Sequence, residues 1–334
     1  MDTATSTKDD YKLALRILRP FGKKDIGKAN LQFFMTFVSL HGLLVLSYTL
    51  YDTSPLISVF IIPFITVFMC RSYVIEHDCG HQSFYRKTWV NTLVGNILAF
   101  LIMIPYSMWK YIHDSHHNNV GNLDKRHLNP ELWTLTVNEY REASRFKKLS
   151  YRFIRSKFCQ FALSPFTVFF ILFRLPNSRF DTTSNISVLV YDLLYLSLFW
   201  FFFKEVAFIK LTVVYFLPLF LFANIASYVF YAQHQFENTY WEKESEWTYE
   251  EATFKGSTYL IAPKWFNWLS GNVVYHNIHH LISTIPNYNL EEAQRKLGDS
   301  LGFTPISLFK VYQLVDYKLW DENMKKMVGF NSIN

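Results

Sequence analysis

Long apolar runs without charged residues constrain the fold of this chain more than any other feature of its sequence. The first run, residues 31–51, reads LQFFMTFVSLHGLLVLSYTLY and contains no Asp, Glu, Lys or Arg. A helix crosses the hydrocarbon core of a bilayer in about 20 residues, so this run predicts a transmembrane span. The sequence DTSP at 52–55 is typical of a turn, and a second apolar run follows over 56–75. Together the two runs predict a helical hairpin.

A second pair of apolar runs lies nearer the C-terminus. The runs cover 186–203 and 211–232 and are joined by the short segment KEVAFIK. Pro63 and Pro218 fall inside runs, which a membrane helix tolerates where its neighbours satisfy the freed carbonyl groups. We therefore predict a single membrane domain over 31–334, with spans near 31–51, 56–75, 186–203 and 211–232.

The positions of the basic residues predict the orientation of these hairpins. Of the 33 Lys and Arg residues, only Lys204 and Lys210 lie in the two hairpin turns. Basic residues favour the cytosolic side of a membrane, so both termini are expected in the cytosol. Residues 1–30 are expected to form a basic cytosolic arm, because the first apolar run starts too late for a cleaved signal peptide.

Two further apolar segments, 90–109 and 161–175, have cytosolic sequence on both sides in this topology. They would lie in the membrane interface or enter and return; if they crossed as a pair, the chain would have six spans. We favour four. The expected fold is an all-α integral membrane protein, with four transmembrane helices in two hairpins, interfacial helices and a cytosolic cap that carries the histidine clusters described below.

Composition removes several other classes of protein. Half of the residues are hydrophobic, which excludes a disordered chain. The three cysteines form no C-x-x-C pair, which argues against a cysteine-based zinc module. The net charge of +6 includes basic residues near the N-terminus that match no nucleic-acid-binding motif. An anionic membrane surface explains them better, and no nucleic-acid partner is expected.

Eight of the 11 histidines fall in three short clusters. The clusters are HDCGH at 77–81, HDSHH at 113–117 and HNIHH at 276–280. Residues three and four apart share a helix face, so each cluster is expected to direct two or three imidazoles the same way. These clusters and His234 lie at or beyond the cytosolic ends of apolar runs, at one face of the membrane. Imidazole binds Fe, Zn, Cu and Ni, and a structural zinc takes four ligands, so eight or nine histidines predict two metal ions.

Several other residues near the clusters have a predicted role. Ligating imidazoles usually donate their second N–H to a carboxylate or carbonyl, which makes Asp78 and Asp114 candidates. Asn272 lies four residues before His276, although Gly271-Asn272 is also a turn sequence. His41 and His127 are interpreted as ordinary polar residues, and Gly80 as a point where a neighbouring helix approaches closely.

The clusters H-x3-H, H-x2-HH and H-x2-HH, interleaved with apolar hairpins, resemble those of the membrane fatty acid desaturases. The resemblance runs from about Tyr73 to Glu292. The sequences NLDKR at 122–126, QHQFE at 233–237 and GNVVYHNIHHLISTIPNYNLEEA at 271–293 resemble bacterial acyl-lipid desaturases in particular. This likeness implies the O2-dependent introduction of a cis double bond into membrane acyl lipids at a centre of two non-haem irons. The iron ligands it implies are His77, His81, His113, His116, His117, His234, His276, His279 and His280.

One position departs from the related acyl-CoA desaturases. Where that branch carries an asparagine four residues before the lone histidine, this chain has Phe230; either that contact to iron is absent here or another group such as Asn272 supplies it. The His-Pro-Gly-Gly signature of a fused b-type cytochrome is missing, so the resemblance implies a separate electron donor: a ferredoxin, a flavodoxin or a b-type cytochrome.

Two other functions remain open at this point. A membrane hydroxylase of lipids or hydrocarbons would use a similar two-iron centre. For the desaturase, too, no catalytic residue separate from the metal centre is expected. A non-enzymatic metal-binding or transport protein is less favoured, because transport sites lie near the bilayer midplane and only His41 lies in the middle of a run.

Overall fold

A computed structural model gives the structure of the protein and describes residues 3–128, 133–205, 208–298, 301, 303 and 305–333. The described chain is mostly helical. Its α-helices, in chain order, are α1 Thr3–Leu18, α2 Ile26–Leu50, α3 Pro55–Gly80, α4 Thr88–Leu101, α5 Tyr106–Asn119, α6 Val137–Glu142, α7 Arg145–Ile154, α8 Ser164–Phe170, α9 Thr182–Glu205, α10 Phe208–Leu211, α11 Leu217–His234, α12 Tyr249–Lys255, α13 Lys264–Leu269, α14 His276–Leu281, α15 Asn287–Leu297 and α16 Val311–Leu314.

Four helices of the described chain are long and apolar enough to cross a membrane. They are Ile26–Leu50, Pro55–Gly80, Thr182–Phe202 and Phe208–His234, the last formed by α10, a π-helical turn and α11. Each coincides with a predicted span. The first begins before its apolar run because the Asp25 carboxylate accepts a hydrogen bond from the Lys28 amide at 3.0 Å and caps the helix. The second continues through the first histidine cluster because its polar end is buried in protein.

Helix α3 is the centre of the membrane domain, with α2, α4 and α11 packed around it. Near the turn of the first hairpin, the hydroxyls of Ser47 and Ser58 lie 2.7 Å apart across α2 and α3. Asp52, in that turn, forms an ion pair with Lys210 of α10. The two hairpin turns therefore lie at the same end of the bundle.

The apolar segment at 90–109 is not one straight helix. Helices α4 and α5 meet at an angle of 104°, across a break that contains Met103 with φ of 58° and ends at Pro105. A similar bend of 58° separates α7 from the helical segment Cys159–Arg174. By length and composition the described chain thus has four candidate spans, or up to six if each bent pair of helices is counted as one span.

Short strands join the C-terminal region to the rest of the protein. In the described residues they are β1 Leu135–Thr136, β2 Leu260–Ile261, β3 Ile306–Ser307, β4 Leu319–Asp321 and β5 Lys326–Val328. Strand β4 pairs in parallel with β1 and antiparallel with β5, and β2 pairs in parallel with β3. The all-α prediction did not include these two small sheets, and neither of them is closed.

The N-terminal segment is packed onto the region that carries the third histidine cluster. Helix α1 contacts α12, α14 and α15. Its buried residues Ala14 and Leu18 belong to the same apolar cluster as Ile278 and Leu281 of α14. The arm therefore supports the helix from which three of the clustered histidines project.

Candidate metal centre

Four helices bring the clustered histidines together. Helix α3 and the residue after it carry the first cluster, α5 carries the second, α11 ends with His234 and α14 carries the third. All of these side chains are buried or nearly buried. His41 and His127 lie elsewhere: each makes a hydrogen bond to a backbone carbonyl of its own segment, at Phe37 and Asp124 respectively.

The side chains form two groups, each able to hold one metal ion. Within each group, one ring nitrogen of every member lies within 4.8 Å of the others. The first group is His77, His81, His113, His117 and His279, and the second group is His116, His234, His276 and His280.

Each cluster directs two of its histidines into the same group, which agrees with the expected two or three. His116 and His117 are consecutive yet belong to different groups, as do His279 and His280. Consecutive helical residues point about 100° apart, whereas residues i and i+4 nearly coincide. Each H-x2-HH cluster therefore gives its i,i+4 pair to one group and its remaining histidine to the other.

The distances in the second group match the spacing of ligands around one ion. The Nε2 atom of His234 lies 2.9 Å from His276 Nε2 and 3.2 Å from His116 Nε2. The Nε2 atoms of His276 and His280 are 3.0 Å apart. Bonds of about 2.1 Å from a metal to imidazole nitrogens at right angles separate those nitrogens by about 3 Å.

The hydrogen bond of His234 identifies which of its nitrogens is free to bind a metal. Its Nδ1 lies 2.8 Å from the carbonyl oxygen of Gly256. A carbonyl can only accept, so Nδ1 donates, and the neutral ring then presents an unprotonated Nε2 to His116 and His276. An unprotonated Nε2 that faces two further ring nitrogens at 2.9 and 3.2 Å is available as a metal ligand, so this set of donors fits a metal ion.

Burial favours the ligating form of the third cluster. Desolvation, reinforced by neighbouring histidines, lowers the pKa of His276, His279 and His280 well below the usual 6.5. Neutral imidazole is the form that binds metals, and these rings are neutral at physiological pH.

The first group converges in the same way. The Nε2 atom of His117 lies 3.1 Å from His113 Nε2 and 2.9 Å from His279 Nε2. The Nε2 atom of His81 is buried and has no hydrogen-bond partner among the described residues. A buried nitrogen directed into a group of imidazoles, without a partner, also fits metal ligation.

Trp109 covers one side of the first group. Its ring stacks on His113, with centroids 4.7 Å apart and an interplanar angle of 14°. A Cβ atom at Gly80 would lie 2.8 Å from the Trp109 ring. The close helix approach predicted at Gly80 is confirmed, since α3 and α5 meet there.

The three predicted outer residues have different environments. Asp78 is buried, with Oδ1 3.5 Å from His77 Nδ1, while Oδ2 accepts hydrogen bonds from the Asn287 backbone and side-chain amides at 2.6 and 2.8 Å. Asp114 is half-exposed and pairs with Lys110. Asn272 lies in a turn with φ of 62°, and its amide donates to the Asn287 carbonyl. Of these three residues, Asp78 is the one that contacts a clustered histidine.

Sequence reasoning did not identify several residues of the site. The Gly256 carbonyl is a backbone group and has no signal in the sequence. Asn287 lies within the desaturase-like segment 271–293 but was not singled out. Outside both groups, Glu76 of α3 is fully buried, and neither of its carboxylate oxygens has a hydrogen-bond partner in the described chain. The sequence signal for this buried acid was its position directly after an apolar run.

Comparisons with known proteins agree with the arrangement of the site. The family model described as "Fatty acid desaturase" matches residues 53–312, which include all nine grouped histidines. The chain belongs to the fatty acid desaturase family. It is 34% identical over 317 residues to a protein named fatty acid desaturase from Bacillus subtilis (strain 168), covering 94% of this chain and 89% of that protein.

More distant relatives carry more specific names. The chain is 26% identical over 235 residues to an sn-1 oleoyl-lipid 12-desaturase of Picosynechococcus sp., covering 69% of this chain and 66% of the relative. It is 27% identical over 242 residues to an sn-1 acyl-lipid omega-3 desaturase (ferredoxin) of Nostoc sp., covering 69% and 64%. The resemblance read from the sequence is confirmed: this desaturase is an oxidoreductase of fatty acid metabolism and an integral membrane protein.

Proposed function

We propose that this desaturase introduces a cis double bond into acyl chains of membrane lipids, using two iron ions held by its two histidine groups. The observation that carries the proposal is the convergence of the ring nitrogens in each group, with His234 fixed in its metal-binding tautomer by Gly256. The residues proposed to hold one iron are His77, His81, His113, His117 and His279, and those proposed to hold the other are His116, His234, His276 and His280.

An acyl chain explains the need for metal. Its C–H bonds are unactivated, and no protein acid or base deprotonates them at useful rates, so a cofactor must carry the chemistry. When bound, the irons supply the redox chemistry that uses O2, two electrons and two protons to remove two hydrogens from adjacent carbons and release two waters.

The chain's own residues keep the site dry and its rings in position. The Phe230 ring lies 5.1 Å from the His116 ring and 5.0 Å from the His234 ring, measured between centroids. An apolar ring thus occupies the position where acyl-CoA desaturases carry an asparagine. Phe230 excludes water from this side of the second group, while the buried Asp78 holds His77 on the side of the first group.

We also propose that the histidine groups and both termini face the cytosol. His77 lies about 33 Å along α3 from Pro55, at the opposite end from the joined hairpin turns, and the only basic residues in those turns are Lys204 and Lys210. This proposal includes four spans, a cytosolic arm over residues 1–30 and one membrane domain over 31–334. A separate ferredoxin, flavodoxin or b-type cytochrome would supply the electrons; the Nostoc relative, whose name includes ferredoxin, supports this.

Expression in a host that lacks fatty acid desaturation tests the reaction. We expect gas chromatography–mass spectrometry of the host lipids to find fatty acids two hydrogens lighter with a cis double bond. The variant His116→Ala should abolish them while still inserting in the membrane. His127→Ala, which alters an exposed histidine outside both groups, should leave them unchanged.

The same measurement separates the alternatives. Products that gain one oxygen would identify a hydroxylase. Unchanged fatty acids together with metal flux into vesicles would identify a transporter. Full desaturation by the His116→Ala variant would contradict the proposed site.

A further inference from the structure

A cationic cavity lies outside the histidine groups, at the C-terminal end of α7. Its volume is about 300 Å³, which suits a lipid headgroup or a small ligand. The charged residues that line it are Arg152, Arg155, Lys157, Lys318 and Asp316. Among the described residues, four cations therefore face the cavity with one carboxylate.

Arg155 is buried without a carboxylate partner in the described structure. It is 3% exposed, and its Nη2 donates to the Gln235 side chain and the Tyr317 carbonyl, both at 3.2 Å. Its Nε is buried and has no hydrogen-bond partner among the described residues. A buried guanidinium with neutral partners and a free donor is a ready site for an anion, because an uncompensated buried charge is costly.

Lys318 is a second buried cation in the same wall. It is 7% exposed, and its Nζ donates to the Arg155 carbonyl at 2.5 Å and to the Gln160 side chain at 3.3 Å. Burial, and then the charge of Arg155, lower the pKa of Lys318 to about 7. The one carboxylate, Asp316, lies 3.8 Å from Lys157, and both of those side chains are mostly exposed. In the described part of the chain neither buried cation forms an ion pair with a carboxylate, and Asp316 offsets the charge of Lys318 only through a longer-range attraction.

The position of the cavity argues for a lipid rather than a free anion. Helix α7 exposes Phe146, Leu149 and Phe153 along one face, at 80%, 69% and 54%. Lys147, Lys148 and Arg152 lie on the same helix, a combination typical of helices in the membrane interface. The chain then bends by 58° into the apolar segment Cys159–Arg174. With α7 in the membrane interface, the cavity would lie at the depth of the headgroups, where this helix meets the apolar segment.

We propose that this cavity binds the phosphate of a net-anionic phospholipid headgroup. The phosphodiester would accept hydrogen bonds from the Arg155 guanidinium and the Lys318 side chain, which line the cavity, with Arg152 and Lys157 at the rim. Arg155 also contacts Tyr231 and Gln235, in and just after the last turn of α11 beside His234. The inference rests on the proposed function only for the membrane placement of α7. The binding test below does not measure catalytic turnover.

Thermal unfolding of the purified, iron-loaded protein in detergent tests the site. We expect soluble dihexanoyl phosphatidylglycerol to raise the unfolding midpoint by about 3–6 °C near saturation. Dihexanoyl phosphatidylcholine should have a smaller effect. In Lys318→Gln and Lys157→Gln the shift should shrink to less than half. Lys310→Gln makes the same charge change at an exposed residue outside the cavity and should retain the full shift.

A gain of affinity provides a test that misfolding cannot imitate. Asp316→Asn removes the one carboxylate in the wall and should tighten phosphatidylglycerol binding roughly threefold. Equal shifts in the wild type and in both cavity variants would overturn the site. A shift produced equally by inorganic phosphate at the same concentration would overturn the lipid assignment and leave a free-phosphate site. Iron content, measured in each variant, distinguishes a loss of lipid binding from a loss of iron binding by the histidine groups.

Discussion

At the scale of single residues, a backbone carbonyl and a carboxylate lie beside the Nδ1 atoms of two of the histidines. Gly256 accepts from His234 Nδ1, and Asp78 lies next to His77 Nδ1 while also binding Asn287 at the start of α15. Asp78 therefore connects the end of α3 to the segment that follows the third cluster. Partners of this kind orient metal ligands and raise their basicity.

The variants Asp78→Asn and Asp114→Asn make the same chemical change in two environments. We expect Asp78→Asn to lower iron affinity by about 10–100-fold, because it removes the charge beside His77. Asp114→Asn should leave iron affinity unchanged, because Asp114 pairs with Lys110 at the surface. Iron in the purified proteins can be measured by elemental mass spectrometry across a chelator series. Equal iron retention in the two variants would show that Asp78 has no role in holding His77.

At the scale of secondary-structure elements, close packing of α3 against α5 brings the first two clusters together. The contact depends on the absence of a side chain at Gly80, where Trp109 occupies the space beside the backbone. Trp109 in turn stacks on His113. The distance between the helices and the position of a clustered ring are therefore set by the same contact.

Replacing Gly80 by alanine tests this packing. The added Cβ would lie 2.8 Å from the Trp109 ring, so we expect a loss of about 1–3 kcal/mol of stability and displacement of Trp109. Gly42→Ala in α2 is a matched control, since nothing lies within 4 Å of its added Cβ. That variant should gain up to about 1 kcal/mol from helix propensity. Thermal unfolding in detergent measures both, and similar behaviour of the two variants would contradict the packing argument.

The helices were more predictable from sequence than the grouping of the histidines. Apolar length locates α2, α3, α9 and α11, because a bilayer imposes a minimum span. The starts of helices depend on single caps such as Asp25, which shift a boundary by several residues. Helix geometry alone makes the consecutive His116 and His117 diverge. Which histidines of other helices each of them joins depends on the rotation of α5 relative to α14, a tertiary property that spacing within one cluster does not determine.

At the scale of the whole molecule, the ion pair between Asp52 and Lys210 joins the hairpin turns at the end away from the histidines. The histidine groups thus lie at the opposite end of the bundle from the two hairpin turns. The basic residues counted in the sequence agree with this division. The break between α4 and α5 could not be predicted as a bend of 104°, because it depends on Met103 adopting a left-handed conformation.

Labelling of single cysteines tests the proposed topology. In intact cells, a membrane-impermeant maleimide should label Asp52→Cys, whose position is exposed in the first hairpin turn. It should label Lys148→Cys on α7 only after the membrane is opened. The native cysteines are buried or half-buried, and the unmodified protein serves as the background control. Labelling of Lys148→Cys from outside would favour six spans.

Iron removal tests the two groups together. The purified protein should contain about two irons per chain, one for each group. Removing them with a chelator should lower the unfolding midpoint, because buried imidazole nitrogens then face one another without a cation. Adding Fe²⁺ should restore it. A protein that contains one iron per chain, or whose stability is unaffected by chelation, would contradict the proposed pair of sites.

The consecutive histidines His116–His117 and His279–His280 have a consequence for how the enzyme is assembled in the cell. One turn of α5 and one turn of α14 each contribute to both groups, so filling the first group orders backbone that the second needs. We expect the two ions to enter cooperatively. A cell short of iron would then hold a mixture of fully active and inactive molecules, and its membrane unsaturation would follow the number of complete enzymes.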